Sequence, residues 1–302
     1  MKILITGSNG LLGQKLVKLL LEKDIEVIAT SRGASRVNYL SKPFEYSELD
    51  ITDQGQVNEV ISKYKPHVVI HTAAMTNVDQ CELEQADCRI LNVDAVGYLV
   101  SACEMHDIHF VHLSTDFVFD GASGPYKEED QPNPISFYGK SKWDAEQIVK
   151  DANCDWSILR TVLVYGVTPG MSRSNIILWV KENLENKNPL KIVDDQWRTP
   201  TLAEDLAMGC FLVATKNATG VFNISGEEML TPFEMAKKTA DYFNLDFSLV
   251  TKVDASTFSQ PAKRPPKTGF ILDKAKKVLG YQPHTFEEGI SILDDQVQSM
   301  RE

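Results

Sequence analysis

The chain has 302 residues, with 31 lysines and arginines against 42 aspartates and glutamates, a net charge of −11. Hydrophobic residues at 43% and charged residues at 24% match an ordinary globular mix, which excludes a disordered chain and predicts one large domain or two smaller ones. The acidic surplus argues against non-specific nucleic-acid binding, and no apolar run reaches the roughly 18 residues of a membrane span.

Met1 leads directly into a buried strand, Lys2–Thr6, without the apolar segment and cleavage site of a secretory signal. Gly7-Ser8-Asn9-Gly10-Leu11-Leu12-Gly13 then opens an amphipathic helix, Leu11–Lys23. A GxxGxxG run between strand and helix suits a dinucleotide-binding turn. One glycine turns the chain, another admits the pyrophosphate, the third packs helix on strand, and free helix amides hold the phosphates.

The second strand, Glu26–Thr30, runs into Ser31-Arg32-Gly33-Ala34-Ser35-Arg36. An NAD site usually carries Asp or Glu here for the ribose 2′-hydroxyl. None is present, and Arg32, with Arg36, suits a 2′-phosphate. NADPH is therefore the expected cofactor, with NADH the alternative. A third strand-like segment, Ser47–Ile51, offers Asp50 to the adenine amino group. After a helix at Gln54–Lys65, a strand at Val68–Thr72 ends in Ala73-Ala74, small enough for the backbone to pass beneath the cofactor. His67 and His71 flank that strand, where four residues span roughly 13 Å, so they cannot share a metal. No metal site is expected.

A helix at Ile90–His106 precedes the strand Phe110–Ser114, which delivers Ser114-Thr115 to the carboxyl edge of the sheet, where open α/β sheets bind ligands. The next helix, Ser136–Asn153, carries Tyr138 and Lys142 four residues apart on one face. A phenol with a pKa of about 10 exchanges protons poorly near neutrality, and an adjacent ammonium favours the phenolate. Tyr138 is thus a candidate general acid, tuned by Lys142, with a Ser or Thr hydroxyl to hold a substrate carbonyl. The strand Trp156–Arg160 closes this half. Strands apolar on both faces and separated by helices define a doubly wound, Rossmann-type α/β fold with a parallel sheet.

Beyond Arg160 the pattern loosens. Helices are predicted at Asn175–Asn186, Ala203–Lys216 and Pro232–Phe243, and strands at Leu190–Val193, Val221–Ile224 and Ser248–Val253. The stretch Ala255–Gly269 is a proline-rich loop with a basic face from Lys263, Arg264 and Lys267. Helices at Asp273–Leu279 and Thr285–Ser299 follow. The division expected is a dinucleotide domain over 1–165, with 202–225 returning to it, and a smaller mixed α/β substrate domain from 166–201 and 226–302. The five cysteines are odd in number and lack CxxC spacing, which reads as free thiols in a reducing cytoplasm.

Taken together, the glycine turn, the strand-end Ser-Thr and Tyr-x-x-x-Lys resemble the extended short-chain dehydrogenase/reductase family. Within it, several segments resemble the dTDP-4-dehydrorhamnose reductase subfamily. They are Met75-Thr76-Asn77-Val78-Asp79-Gln80-Cys81-Glu82, Leu113–Gly121, Tyr138–Lys142, Arg160-Thr161, Val164-Tyr165-Gly166, Asp195-Gln196 with Pro200-Thr201, and Arg264-Pro265. The resemblance implies NADPH-dependent reduction of the C4 keto group of a dTDP-4-keto-6-deoxy sugar. Thr115, Tyr138 and Lys142 would be the catalytic triad, with Lys142 also on the nicotinamide ribose. Cofactor contacts would come from Gly7, Asn9, Gly10, Leu11, Leu12, Gly13, Ser31, Arg32, Asp50, Ile51, Ala73, Ala74 and Thr76. Substrate contacts would come from Thr76, Val78, Ser114, Thr115, Asp116, Phe117, Asn175, Trp197, Arg198 and Arg264, the last two meeting the diphosphate.

One departure stands out: Arg198 occupies the position where the subfamily usually has a glycine. A nucleotide-sugar dehydratase would need a second carboxylate after Asp116, where this chain has Phe117. A 4-epimerase retains NAD, which Arg32 opposes. A non-catalytic alternative is a subunit similar to the regulatory subunit of methionine adenosyltransferase. The expected partner is a nucleotide sugar, with no nucleic acid and no membrane, and a homodimer stays open.

Overall fold

Runs of Val, Ile and Leu flanked by turn residues become strands because they fill a pleated surface buried on both faces. The computed structural model describes residues 1–171 and 174–300. In chain order the strands are β1 (Lys2–Thr6), β2 (Glu26–Ser31), β3 (Glu45–Glu48), β4 (Val68–His71), β5 (His109–Thr115), β6 (Trp156–Thr161), β7 (Val164–Tyr165), β8 (Leu190–Val193), β9 (Thr201–Leu202), β10 (Gly220–Asn223) and β11 (Val250–Val253). Seven form one parallel sheet in the order β10-β6-β5-β4-β1-β2-β3. The short pairs β7–β9 and β8–β11 are also parallel and lie outside it.

Helices α1 (Leu11–Glu22), α2 (Gln54–Tyr64), α3 (Val78–Leu83), α4 (Gln85–Arg89), α5 (Ala95–Glu104) and α6 (Phe137–Lys150) connect the first six strands. They are followed by α7 (Ile176–Glu185), α8 (Ala203–Lys216), α9 (Pro232–Tyr242) and α10 (Phe286–Ser299). One face of the sheet packs on α1 and α8 through Leu16, Val17, Leu20, Leu206 and Val213. The other packs on α2, α5 and α6 through Val57, Ile61, Leu99, Ala145 and Val149. Two further apolar cores hold α7, α9 and α10 against the short strands. Strand order reverses at β1, whose neighbours are β2 and β4, and ligands bind at such switch points.

Two helices depart from the sequence expectation. In place of one helix over Ile90–His106, a wide π-helical turn at Ile90–Asp94 separates α4 from α5. Asn92 sits in that turn, fully buried, and its amide grips both backbone groups of Met75. The segment Ala275–Leu279 is likewise π-helical and ends at Gly280, whose φ is +69°. The third strand lies at Glu45–Glu48, upstream of Ser47–Ile51, because its ladder to β2 runs from Ile28–Glu45 to Ser31–Glu48.

Candidate active site

The turn after β1 shapes a cavity of about 370 Å³. Gly7 has a φ of +71°, and a Cβ there would lie 2.8 Å from the Ala73 amide nitrogen, so only glycine fits where β1 and β4 end side by side. Gly10 starts α1 without a side-chain cap, leaving the first helical amides for a ligand. Of the cofactor contacts expected from the sequence, Gly7, Asn9, Gly10, Leu11, Ser31, Arg32, Ile51, Ala73 and Ala74 lie on the wall of this cavity. Arg36 joins Arg32 there, and neither has an ion-pair partner among the described residues. Asn9 fastens the arginine loop through the Ala34 carbonyl (2.9 Å) and the Arg36 amide (2.8 Å).

Other expectations need correction. Asp50 does not line the cavity: its carboxylate accepts from the backbone and hydroxyl of Thr52, and Leu49 and Ile51 face the ligand space. Thr76 is exposed and off the cavity wall. Leu12 and Gly13 lie behind the wall, where Gly13 serves packing; a Cβ there would meet the Gly7 carbonyl oxygen at 2.3 Å. Sequence reasoning missed Thr168, Gly170 and Met171, which cover the cavity from the distant segment after β7. Thr168 donates to Gln14 of α1 at 2.7 Å.

The catalytic candidates meet at the carboxyl end of β5. Strand alternation sends Ser114 and Thr115 to opposite faces. Ser114 is buried and donates to Glu146 of α6 at 2.6 Å, which commits its proton to the interior and not to a substrate oxygen. Glu146 also receives Arg160 of β6 through two bonds of 2.9 and 2.7 Å, a buried fork that ties α6 to the sheet. Burial pushes the Glu146 carboxyl up, but Arg160, Ser114 and Lys150 outweigh it and hold the group below the ordinary range.

Thr115 Oγ1 accepts from the Phe117 amide and donates to the Asp116 carboxylate at 3.1 Å, on the side of the site where the Tyr138 phenol stands. Ser136 caps α6 through the Gly139 amide. Gly139 lets the helix close in: a Cβ there would lie 2.1 Å from the Phe117 carbonyl oxygen. Phe117 packs edge-on against the Tyr138 ring, centroids 5.7 Å apart. The expected lowering of the Tyr138 phenol by Lys142 is not met. Burial pushes that phenol well up, partly countered by Thr115 and reinforced by Asp116. A raised phenol is protonated at neutral pH, and burial by itself makes it a weaker proton donor. Burial lowers Lys142 to about 8, against the pull of Glu146, and its Nζ lies 3.2 Å from His112 Nε2.

Arg198 is 5% exposed and does not present a free fork to a diphosphate. Its guanidinium donates to the carbonyls of Trp197, Pro265 and Pro266 and lies 3.8 Å from Asp116. Asp116 is itself buried, accepts from Thr268, and is pushed up by that burial against the pull of Arg198. Arg264 forks onto Asp79 of α3 at 3.1 and 2.7 Å; its Nε has no partner among the described residues. Val78 is the first residue of α3. Asn175 caps α7 and lines a second cleft of about 450 Å³, whose rim carries the exposed rings of Trp179 and Phe258. Trp197 is half-exposed and its backbone bridges to Lys267. No metal-binding cluster occurs among the described residues.

A doubly wound sheet with a glycine turn at its switch point and a Thr-Tyr-Lys corner beside it defines an NAD(P)-dependent reductase of the extended short-chain dehydrogenase/reductase class. The family model described as "RmlD substrate binding domain" matches residues 1–299, and the chain belongs to that family. It is 32% identical over 302 residues to a dTDP-4-dehydrorhamnose reductase of Aggregatibacter actinomycetemcomitans, covering 96% of this chain and 97% of the relative. It is also 32% identical over 255 residues to methionine adenosyltransferase 2 subunit beta of Bos taurus, covering 82% of this chain and 73% of the relative. Among solved structures, dTDP-4-dehydrorhamnose reductase from Bacillus anthracis in complex with NADP matches with a TM-score of 0.85 and 28% identity, covering 98% and 99% of the two chains.

Proposed function

We propose that the protein uses NADPH to reduce the C4 keto group of a dTDP-4-keto-6-deoxy sugar, the conversion of dTDP-4-dehydrorhamnose to dTDP-L-rhamnose. The observation that carries this reading is the placement of Thr115 at the carboxyl end of β5 with Tyr138 and Lys142 on α6, in a sheet whose β1 turn opens a glycine-lined cavity with Arg32 and Arg36 on its wall. When bound, NADPH supplies the hydride. Thr115 holds the carbonyl oxygen, and the Tyr138 phenol, kept protonated by burial, gives that oxygen its proton. Lys142 lies one helical turn from Tyr138 on the same face and offers its ammonium to the nicotinamide ribose and the nascent phenolate.

Arg32 and Arg36, whose guanidinium groups have no ion-pair partner among the described residues, favour NADPH over NADH, because a 2′-phosphate matches such donors. The cleft at Asn175, Trp179 and Phe258 has an aromatic rim and a largely apolar lining that suit the flat face of a nucleotide base. Arg264, with its Nε unpaired, stays the diphosphate residue of this reading. The substrate then lies between a dinucleotide domain of 1–165 plus 202–225 and a substrate domain of 166–201 plus 226–302.

The test is NADPH oxidation by the purified chain against a panel of keto-sugar nucleotides. Turnover confined to dTDP-4-keto-6-deoxy sugars is expected, and turnover with none of them sinks the reading. The match to the methionine adenosyltransferase subunit supports a second reading, a non-catalytic binding subunit. That reading gains if the chain binds NADPH but never oxidises it.

A further inference from the structure

Lys142 is 4% exposed, and among the described residues its Nζ has a single hydrogen-bond partner, His112 Nε2 at 3.2 Å. His112 comes from the middle of β5 and is fully buried. Its ring stacks on His71 of β4, centroids 5.6 Å apart and planes 23° apart, and Phe110 extends the stack. The His112 Nδ1 and the His71 Nε2 are buried without a partner among the described residues. Burying an imidazole with an unpaired nitrogen costs free energy, and nothing in the sheet packing requires a histidine there. The bond to Lys142 is what the ring supplies.

The charged and titratable groups around Lys142 are few. His71 and His112 face it from β4 and β5, Glu146 and Tyr138 from its own helix, and Cys81 and Cys88 from α3 and α4. Burial and the Lys142 charge hold His71 near 3 and push His112 well below the ordinary histidine value, so both rings are neutral. A neutral imidazole facing an ammonium accepts at Nε2 and carries its proton on Nδ1.

We propose that His112 is a positioning residue for Lys142: its Nε2 takes one ammonium proton from behind and leaves the other two for the Tyr138 side of the cleft. This inference rests on the reductase reading above. Lys142 thereby stays charged and aimed in an apolar setting that otherwise strips its proton, and that charge is present when Tyr138 gives up its own.

The test compares His112→Phe, which keeps a ring in the stack and removes the acceptor, with His112→Gln, which restores a neutral acceptor. A hydrogen bond to a charged group is strong enough to hold the lysine pKa up by about one unit. His112→Phe therefore moves the alkaline limb of kcat down by about one pH unit, which lowers kcat about twofold near pH 7 and about tenfold by about pH 9, with the KM for the sugar nucleotide unchanged. His112→Gln returns the limb toward its original position. A limb that stays put in His112→Phe overturns the proposal, as does one that moves equally in both variants.

A second measurement does not depend on turnover. In wild-type protein with nitrogen-labelled histidine, the signal perturbed by Lys142→Met should show an unprotonated Nε2 and a protonated Nδ1 at neutral pH. Protonation at Nε2 overturns the proposal whatever substrate the enzyme uses, so its failure is distinguishable from failure of the reductase reading.

Discussion

The cofactor cleft and the catalytic corner are built on opposite principles. Around the cleft the backbone is small and open, and the cations Arg32 and Arg36 stand without ion-pair partners among the described residues. At the corner, side chains are buried and committed: Ser114 to Glu146, Glu146 to Arg160, Thr115 to Asp116, Lys142 to His112. A binding surface keeps its donors free for the ligand, whereas an acid–base centre spends them on holding its reacting groups in one geometry. The two regions should therefore fail differently when altered.

The sharpest contrast is Tyr138→Phe. It removes one hydroxyl from the corner and should lower kcat by about 10²–10⁴-fold while NADPH binding, measured by fluorescence titration, stays unchanged. A variant that kept most of its turnover would take the acid role from Tyr138. Next comes Arg160→Met, which leaves the Glu146 carboxylate buried without its fork and should destabilise the fold by about 3–5 kcal/mol in urea unfolding.

The same carboxylate sets a pH dependence. Its folded pKa is lowered, so its contribution is present above the ordinary glutamate value of about 4.3 and is lost as pH falls through the folded value. Arg160→Met should flatten that acid-side loss, and an unchanged acid limb of stability would show that another carboxylate governs it. In the cleft, Arg32→Ala should raise the KM for NADPH about tenfold, leave that for NADH unchanged, and leave stability within about 0.5 kcal/mol. Equal effects on both cofactors would break the 2′-phosphate argument. Smallest is Arg264→Ala, a half-buried pair whose loss should raise the KM for the sugar nucleotide with kcat nearly constant. An unchanged KM would leave Arg264 as only a tie between the proline-rich loop and α3.

Most strands were legible in the sequence because β-branched runs bounded by glycine and polar residues have few other ways to be buried. The glycine turn and Tyr138–Lys142 spacing were legible for a similar reason: both are local patterns with a mechanism. What escaped was set by distant partners. Ser114 and Thr115 are equivalent as letters, and only the register Ser114–Arg160 shows that the first faces the buried fork. Arg198 reads as a cation free for phosphate until the carbonyls of Pro265 and Pro266 arrive from 67 and 68 residues away. The wide turn at Asn92 hides inside an ordinary helical pattern, although a fully buried asparagine on an apolar helix face was its one visible sign. The Thr168–Met171 cover carries no pattern of its own.

The Arg198 clasp has a consequence for how this scaffold can change. It anchors one end of the proline-rich loop, residues 265–267, to the strand end that carries Asp116 and Phe117. The other end, with Phe258 and Gln260 on the rim of the second cleft, is tied through the Ala255 amide, which donates to the Asp195 carboxylate at 3.0 Å. The loop is thus tied at both ends to the segment 195–198, with Phe258 and Gln260 held between the two ties on the rim of the second cleft. Exchanging residues 255–260 between relatives should retune which nucleotide is accepted without disturbing Thr115 and Tyr138, which makes this short stretch a cassette for redesign.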